Sequence, residues 1–262
     1  MKPGFPLLAG WLSIQVLGAQ TTVPTVEEIL SRVQANTGQF EKSLPDFVCD
    51  EKVHSQRIEH GVVTHEAAAE SHFTGLQRKS GRMSFTETRE YVTIDGKPAA
   101  KSPRLSRVPL FGGGFSSLLD QTFSKRFAPL HDYRILGRER LGDRPALGIE
   151  FATKPGQDVL RMLFGKDDVR TQRDTGKAWI DEETLQVLRI ERRFLNLPSS
   201  SAGMVATVDY GPVSIDGKPF WMPLRVKSEQ TSKRGNQGEY TAEYTNYRKF
   251  DVASGIIYEP VP

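Results

Sequence analysis

The chain contains a single cysteine, Cys49, in 262 residues, so no disulfide can form within it. Stability must then come from a hydrophobic core, which a chain of this length can build, and we expect Cys49 to be buried there. A strong net charge is also missing, because the chain has 35 Lys and Arg residues and 32 Asp and Glu residues, which gives a net charge of +3. This small excess gives no electrostatic reason to expect a nucleic-acid partner.

Specific catalytic and cofactor motifs are absent as well. Ser116 and Ser117 follow glycines without completing the Gly-x-Ser-x-Gly turn of hydrolases, and Gly165-Lys166 lacks the flanking residues of a phosphate-binding loop. Neither His-Glu-x-x-His nor paired Cys-x-x-Cys occurs, and we expect the five histidines to be solvated on strands: His54, His60, His65, His72 and His131. The sequence therefore predicts no enzyme, no catalytic residue, no metal site and no cofactor.

The first residues have the features of a secretory signal peptide. Lys2 supplies the positive start, Phe5 to Leu17 form an apolar run too short to span a bilayer, and small residues follow at Gly18 and Ala19. No cysteine follows this run to accept a lipid, and no later run approaches the roughly 20 apolar residues of a membrane helix. We therefore predict that residues 1–19 are removed and that the mature chain is periplasmic or secreted, without an integral membrane segment.

A helix is predicted at the start of the mature chain. Thr25 and Glu28 have the spacing of a capping box, and apolar residues recur at helical intervals over Val26 to Lys42. Pro45 marks its end, because the residue before a proline is biased away from helical geometry.

From Phe47 onward the apolar period changes to two, which is typical of strands with one buried face. The alternation is clear in Leu147, Ile149 and Phe151, in Leu188, Ile190 and Phe194, and in Phe220, Met222, Leu224 and Val226. Turn sequences separate the runs, including Ile-Asp-Gly-Lys-Pro at both 94–98 and 215–219, His60-Gly61, Gly142-Asp143 and 181–184. We predict a mainly β (α+β) fold, a large curved antiparallel sheet or half-open barrel of about 9–11 strands.

One segment interrupts this pattern. Pro103 to Pro129 contains three consecutive glycines and then Phe115, Leu118, Leu119 and Phe123 at helical spacing, which predicts a loop and a second helix. Such an insertion is either a lid or binding element, or a plain cover for one sheet edge. No linker or repeat divides residues 20–262, so one domain is expected, with both helices covering the concave face of the sheet.

Several stretches resemble the periplasmic lipoprotein carriers, the LolA-like proteins. The similar stretches are TGKAWIDEETLQVLRIERR (175–193), VDYGPVSIDGKPFWMPLRV (208–226) and SFTETREYVTIDGKP (84–98). The opening LPDFVCDEKV (44–53) is similar to uncharacterised secreted proteins of soil bacteria. The LolA-like resemblance implies an incomplete barrel, closed by helices, whose concave apolar face holds acyl chains or another hydrophobic ligand.

The predicted function is that of an exported binder or carrier of a hydrophobic ligand, acyl or lipid-like, in the cell envelope. Its partner would be a hydrophobic small molecule or a lipidated protein, and the residues predicted to line the pocket are Ile29, Leu30, Val33, Phe115, Leu119, Phe123, Phe220, Met222 and Leu224. The alternative is an envelope scaffold or sensor domain that binds protein by a sheet edge or face and holds no small molecule. Ligand identity, protein partner and oligomeric state stay open.

Overall fold

The computed structural model describes residues 24–77, 85–100, 115, 117–164 and 168–250. The predicted signal peptide and the glycine-rich part of the insertion, including Ser116, lie outside these residues, as does Gly165-Lys166. No helix in the described ranges is long and apolar enough to cross a membrane.

The first helix, α1, spans Val26–Ser43, one residue beyond the predicted end. Its capping box is formed as predicted: the Thr25 amide donates to Glu28 Oε2 at 2.8 Å, and the Glu28 amide donates to Thr25 Oγ1 at 3.2 Å. Ile29 and Val33 are fully buried against the sheet. The second helix, α2, spans Ser117–Phe123 and buries Leu118, Thr122 and Phe123.

The rest of the described chain is almost entirely β-structure, as the period of two predicts. The strands are β1 (Phe47–Glu59), β2 (Val62–Gln77), β3 (Phe85–Ile94), β4 (Lys97–Pro98), β5 (His131–Leu141), β6 (Arg144–Thr153), β7 (Leu160–Phe164), β8 (Asp168–Gln172), β9 (Asp174–Asp181), β10 (Val187–Phe194), β11 (Ser201–Ile215), β12 (Lys218–Ser232) and β13 (Gln237–Lys249). The predicted tips at His60-Gly61, Asp95-Gly96 and Asp216-Gly217 are confirmed, because all six residues have the positive φ of tight hairpins.

Eleven of these strands form one antiparallel sheet, in the order β4-β3-β2-β1-β13-β12-β11-β10-β9-β6-β5. The prediction of about 9–11 strands is confirmed. The sheet consists of two meanders, and pairing of β1 with β13 joins them, for example at Val53 and Ala242. The outermost strands, β4 and β5, do not pair with each other, so the barrel stays open. Strands β7 and β8 form a separate hairpin.

The two faces of the sheet differ in polarity. Apolar side chains of alternate residues fill the inner face, where α1 and α2 pack. On the outer face, residues of alternating charge are direct cross-strand partners in one continuous row: Arg189, Asp209, Arg225, Glu243, Lys52 and Glu70. Each charge in the interior of this row has an opposite charge on both sides, which is favourable for cross-strand pairs and leaves no patch of one sign.

Candidate functional site

The residues predicted to line a pocket are placed mostly between the helices and the inner face. Five are buried at 0–4% exposure, namely Ile29, Val33, Phe115, Phe123 and Met222, and three are half-buried against the same core, namely Leu30, Leu119 and Phe220. Leu224 is set apart from them, since it is 37% exposed and its side chain lies beside Gly211. It is the extra residue of a β-bulge, because Asp209 pairs with Arg225 while Tyr210 pairs with Pro223.

One half of the interior is filled by aromatic rings. The ring centroids of Phe73 and Phe115 are 4.5 Å apart, those of Phe115 and Tyr244 are 4.8 Å apart, and that of Phe47 lies 5.7 Å from that of Phe115. These distances are those of direct ring packing. A ligand could enter this half only if the helices or the rings moved.

A cleft remains open between α1, α2 and the turn from β9 to β10. It holds about 270 Å³ of empty space, open solvent included, and is lined by Val33, Asn36, Thr37, Leu119, Leu185, Gln186, Val187 and Trp221. Five of these residues are apolar, and the indole nitrogen of Trp221 is already satisfied by the carbonyl of Val187 at 2.6 Å. Most of that space is open solvent: the cavity itself is only about 10 Å³, far below the range of about 300–1,000 Å³ typical of small-molecule sites.

A strained turn forms one wall of this cleft. Leu185 has a φ of +54°, a left-handed conformation that is unfavourable for a residue with a Cβ. Asn36 of α1 holds it, because its side-chain amide donates to the carbonyls of Thr184 at 3.3 Å and Leu185 at 3.1 Å. Asp181 supports the same turn from below by accepting from the Thr184 amide and hydroxyl, each at 2.8 Å. These bonds fix α1 to the turn and set the width of the cleft.

A buried ion pair lies under the aromatic half of the interior. Glu51 is fully buried and accepts from the Ser71 hydroxyl at 2.7 Å and from Arg89 Nε at 2.8 Å. Burial lowers the pKa of Arg89, but the hydrogen bonds and charge of Glu51 outweigh burial and hold the pKa above its ordinary value. Burial, with the nearby Glu51 charge, also raises the pKa of Tyr244 well above its usual range. The cluster keeps its two charges paired, with the Glu51 carboxylate fully buried and the Arg89 side chain 16% exposed.

A second ionic cluster lies beneath α2. Asp174, 2% exposed, accepts from Thr153 Oγ1 at 2.7 Å and faces His131 Nε2 at 2.9 Å. Arg192, with no exposed surface, places Nε 3.1 Å from Asp174 Oδ2. Its terminal nitrogens donate to two α2 side chains, Gln121 Oε1 at 2.5 Å and Thr122 Oγ1 at 2.7 Å. The guanidinium therefore ties the second helix to the sheet from inside.

Burial and charge pull the pKa values of this cluster in opposite directions. Burial alone would raise the pKa of Asp174, but the His131 hydrogen bond, the Arg192 charge and the Thr153 hydroxyl together hold that pKa below its ordinary value. Burial lowers the pKa of Arg192, and the Asp174 charge opposes this shift. The contacts of Asp174 thus favour its carboxylate form in the folded protein, and that charge in turn favours the charged form of Arg192.

The pairing of His131 with Asp174 resembles two members of a hydrolase triad, but its geometry does not support that role. The other ring nitrogen, Nδ1, lies 3.1 Å from the carbonyl oxygen of Phe127, so both ring nitrogens face oxygen acceptors. The base of a triad needs one nitrogen free to accept from the nucleophile, and His131 is only 2% exposed. We conclude that the pair is structural.

The sequence prediction of five solvated strand histidines holds for His54, His65 and His72. His60 is exposed but lies at the tip of the β1–β2 hairpin, and the prediction is wrong for His131. It failed because His131 begins β5 at the point where the strand enters the interior. The predicted burial of Cys49 is confirmed, and burial raises the pKa of its thiol.

The comparisons with known proteins give similarity in architecture alone. No protein-family model and no curated protein matches the sequence. Solved structures that are similar include a LolA superfamily protein from Nitrosomonas europaea, at 12% identity and a TM-score of 0.39, covering 88% of this chain and 96% of that one. A DUF1329 family protein from Desulfovibrio piger has 15% identity and a TM-score of 0.42, covering 88% and 95%.

A third similar structure is a domain from Vibrio parahaemolyticus described in terms of outer membrane lipoprotein sorting. It has 11% identity and a TM-score of 0.46, covering 88% of this chain and 95% of that one. Structures of this kind match the resemblance noted from the sequence. At these identities and TM-scores, nothing about the chemistry of the site follows from them.

Proposed function

We propose that the chain is an exported protein that binds a hydrophobic ligand, an acyl chain or a lipid-like molecule, between its two helices and the inner face of its sheet. The observation that carries the proposal is the cleft bounded by Val33, Leu119 and Trp221, an apolar opening directly above an apolar interior. Each methylene that moves from water into such a space contributes about 0.8 kcal/mol.

The cleft must widen to accept an acyl chain of any length. Among the described residues, a small number of polar contacts fasten its two helical walls. Asn36 bonds α1 to the turn at Leu185, and α2 is held by Arg192, through Gln121 and Thr122, and by the Tyr133 hydroxyl, which donates to the Thr122 carbonyl. Each hydrogen bond of this kind contributes only about 0.5–3 kcal/mol. Burial of several methylenes is therefore enough to offset their loss.

The proposal is tested with a fluorescent fatty-acid probe and two matched charge substitutions. Leu119→Glu places a carboxylate in the wall of the cleft, where a desolvated charge opposes an acyl chain, and we expect at least a tenfold loss of probe affinity. Leu224→Glu makes the same change at the exposed bulge and should leave the affinity unchanged. Circular dichroism establishes that both variants are folded.

Two results would count against the proposal. One is equal probe affinity in Leu119→Glu and Leu224→Glu. The other is a wild-type protein, purified from the bacterial envelope, that carries no ligand in native mass spectrometry and binds no probe.

The tightly packed aromatic half of the interior favours one rival, an envelope scaffold or sensor domain that binds protein and no small molecule. Rings in direct contact, such as those of Phe73 and Phe115, leave no room for a ligand in that half. Under this rival, crosslinking in cells captures a protein partner with equal efficiency for the wild type and Leu119→Glu. Under the carrier proposal, Leu119→Glu empties the protein of lipid.

A further inference from the structure

The guanidinium of Arg192 is bonded to α2 in an arrangement that an anion could also occupy. Its two terminal nitrogens donate to neutral oxygens, Gln121 Oε1 at 2.5 Å and Thr122 Oγ1 at 2.7 Å. These nitrogens form the planar fork with which arginine binds carboxylate and phosphate through two parallel hydrogen bonds. The two α2 side chains thus stand where the oxygens of an anionic group would stand.

The charge of Arg192 is only partly balanced by the protein. Among the described residues, its one carboxylate partner within bonding distance is Asp174, and Nε, 3.1 Å from Asp174 Oδ2, is not aligned to donate a hydrogen bond to it. Asp174 is shared with His131 and Thr153, which both contact its other oxygen. A fully buried cation without a carboxylate of its own gains from a further anion, because charges interact strongly in a poorly solvated interior.

A second, independent feature indicates that this end of the interior accepts polar groups. The side-chain amide of Gln172 is 1% exposed, and within the part of the chain that the structure describes neither its nitrogen nor its oxygen has a hydrogen-bond partner. Gln172 precedes Asp174 by two residues, and both side chains are buried, as expected for the same face of an extended chain. Buried polar groups are normally satisfied, so an orphaned amide here is consistent with a polar atom that arrives from outside the chain.

The apolar cleft and Arg192 are connected through α2. Leu119 lines the cleft, and Thr122 of the same helix, about 4.5 Å further along its axis, contacts Arg192. A molecule with its chain in the cleft and its head beside Arg192 would therefore lie along one short helix.

We infer that the ligand is an amphiphile with one acyl chain and one anionic head group, and that Arg192 binds the head once Gln121 and Thr122 withdraw. This inference rests on the proposed function and narrows its ligand class to carboxylate or phosphate amphiphiles.

The experiment compares three ligands of equal chain length by titration calorimetry with the mature protein: dodecanoate, dodecyl phosphate and dodecanol. We expect the wild type to bind at least one of the anions about tenfold more tightly than the alcohol, as for a hydrogen-bonded charge. Gln121→Ala removes a competing acceptor while keeping Arg192, so it should tighten anion binding several-fold and leave dodecanol unchanged. Whichever anion binds more tightly identifies the head group.

Variants at the arginine complete the test. Arg192→Lys keeps the charge but loses the fork and should reduce the anion preference, whereas Arg134→Met, at an arginine whose side chain is 70% exposed, should behave as the wild type. Equal affinities for dodecanoate, dodecyl phosphate and dodecanol, unchanged in Gln121→Ala, would overturn the inference and leave the proposed function standing. Absence of binding for all three would refute the proposed function itself, and the inference with it.

Discussion

The strongest test of the interior cluster is the substitution Asp174→Asn. It keeps the shape of the side chain and removes the carboxylate that, of those in the described ranges, alone lies within bonding distance of Arg192, whose guanidinium has no exposed surface. Removing one partner of a buried ion pair costs about 3–5 kcal/mol, because the other charge stays in the interior without compensation. For a protein with the usual stability of about 5–15 kcal/mol, this is a large fraction of the free energy of unfolding.

The loss is measured by urea denaturation at pH 7, followed by circular dichroism. With a urea m-value of about 3 kcal/mol/M, the unfolding midpoint should fall by roughly 1–1.7 M. The matched control is Asp209→Asn on the outer face, where the half-buried but water-accessible pair with Arg189 contributes about 1 kcal/mol. The double variant Asp174→Asn/Arg192→Met should be less destabilised than the sum of its two single variants, since neither buried charge remains.

The same carboxylate predicts a pH dependence with a definite sign. The pKa of Asp174 is held below its ordinary value in the folded protein. Its contribution to stability is therefore complete above the unfolded pKa of about 3.9 and is lost as the pH falls through the lower folded pKa. Asp174→Asn should thus lose less stability than the wild type on acidification below pH 4. In the urea experiment at pH 7, a shift of the unfolding midpoint in Asp174→Asn no larger than that in Asp209→Asn would refute the assignment of Asp174 as the partner of Arg192.

Three further predictions concern packing, surface charge and thiol reactivity. Gly176→Ala should destabilise by about 1–3 kcal/mol in urea, because its new Cβ would lie 2.2 Å from a backbone oxygen of β10. Gly203→Ala, with no atom within 4 Å of the new Cβ, should cost much less, and equal costs would contradict the close approach. Asp209→Lys places three cations in succession across β10–β12 and should lower the free energy of unfolding by about 1 kcal/mol or less at low salt. This loss should disappear in 1 M salt, and a loss independent of salt would contradict a surface electrostatic origin. Cys49 should react with a thiol reagent at pH 8 only after unfolding, since burial raises its pKa, and rapid reaction of the folded protein would contradict its burial.

The alternation of apolar residues predicted most of the fold, but it did not predict the charged residues that are buried in the interior. Glu51 shares the strand parity of Phe47, Cys49 and Val53, and Arg192 shares that of Ile190 and Phe194. Each is buried with those neighbours, so a charged residue on an apolar parity was the available signal for both clusters. What the pattern lacks is the partner: nothing near Arg192 in the chain points to Gln121, 71 residues away.

The amino-acid sequence by itself determined where the capped helix begins, where strands alternate and where hairpins turn, because these depend on contacts between residues a few positions apart. The tertiary structure decided which strands meet at β1 and β13, which charges are paired inside, and how far the two helices stand from the sheet. Those outcomes depend on contacts between distant segments. The alternation of apolar residues tells only which side of a strand a side chain faces, and not which residues of other elements it contacts there.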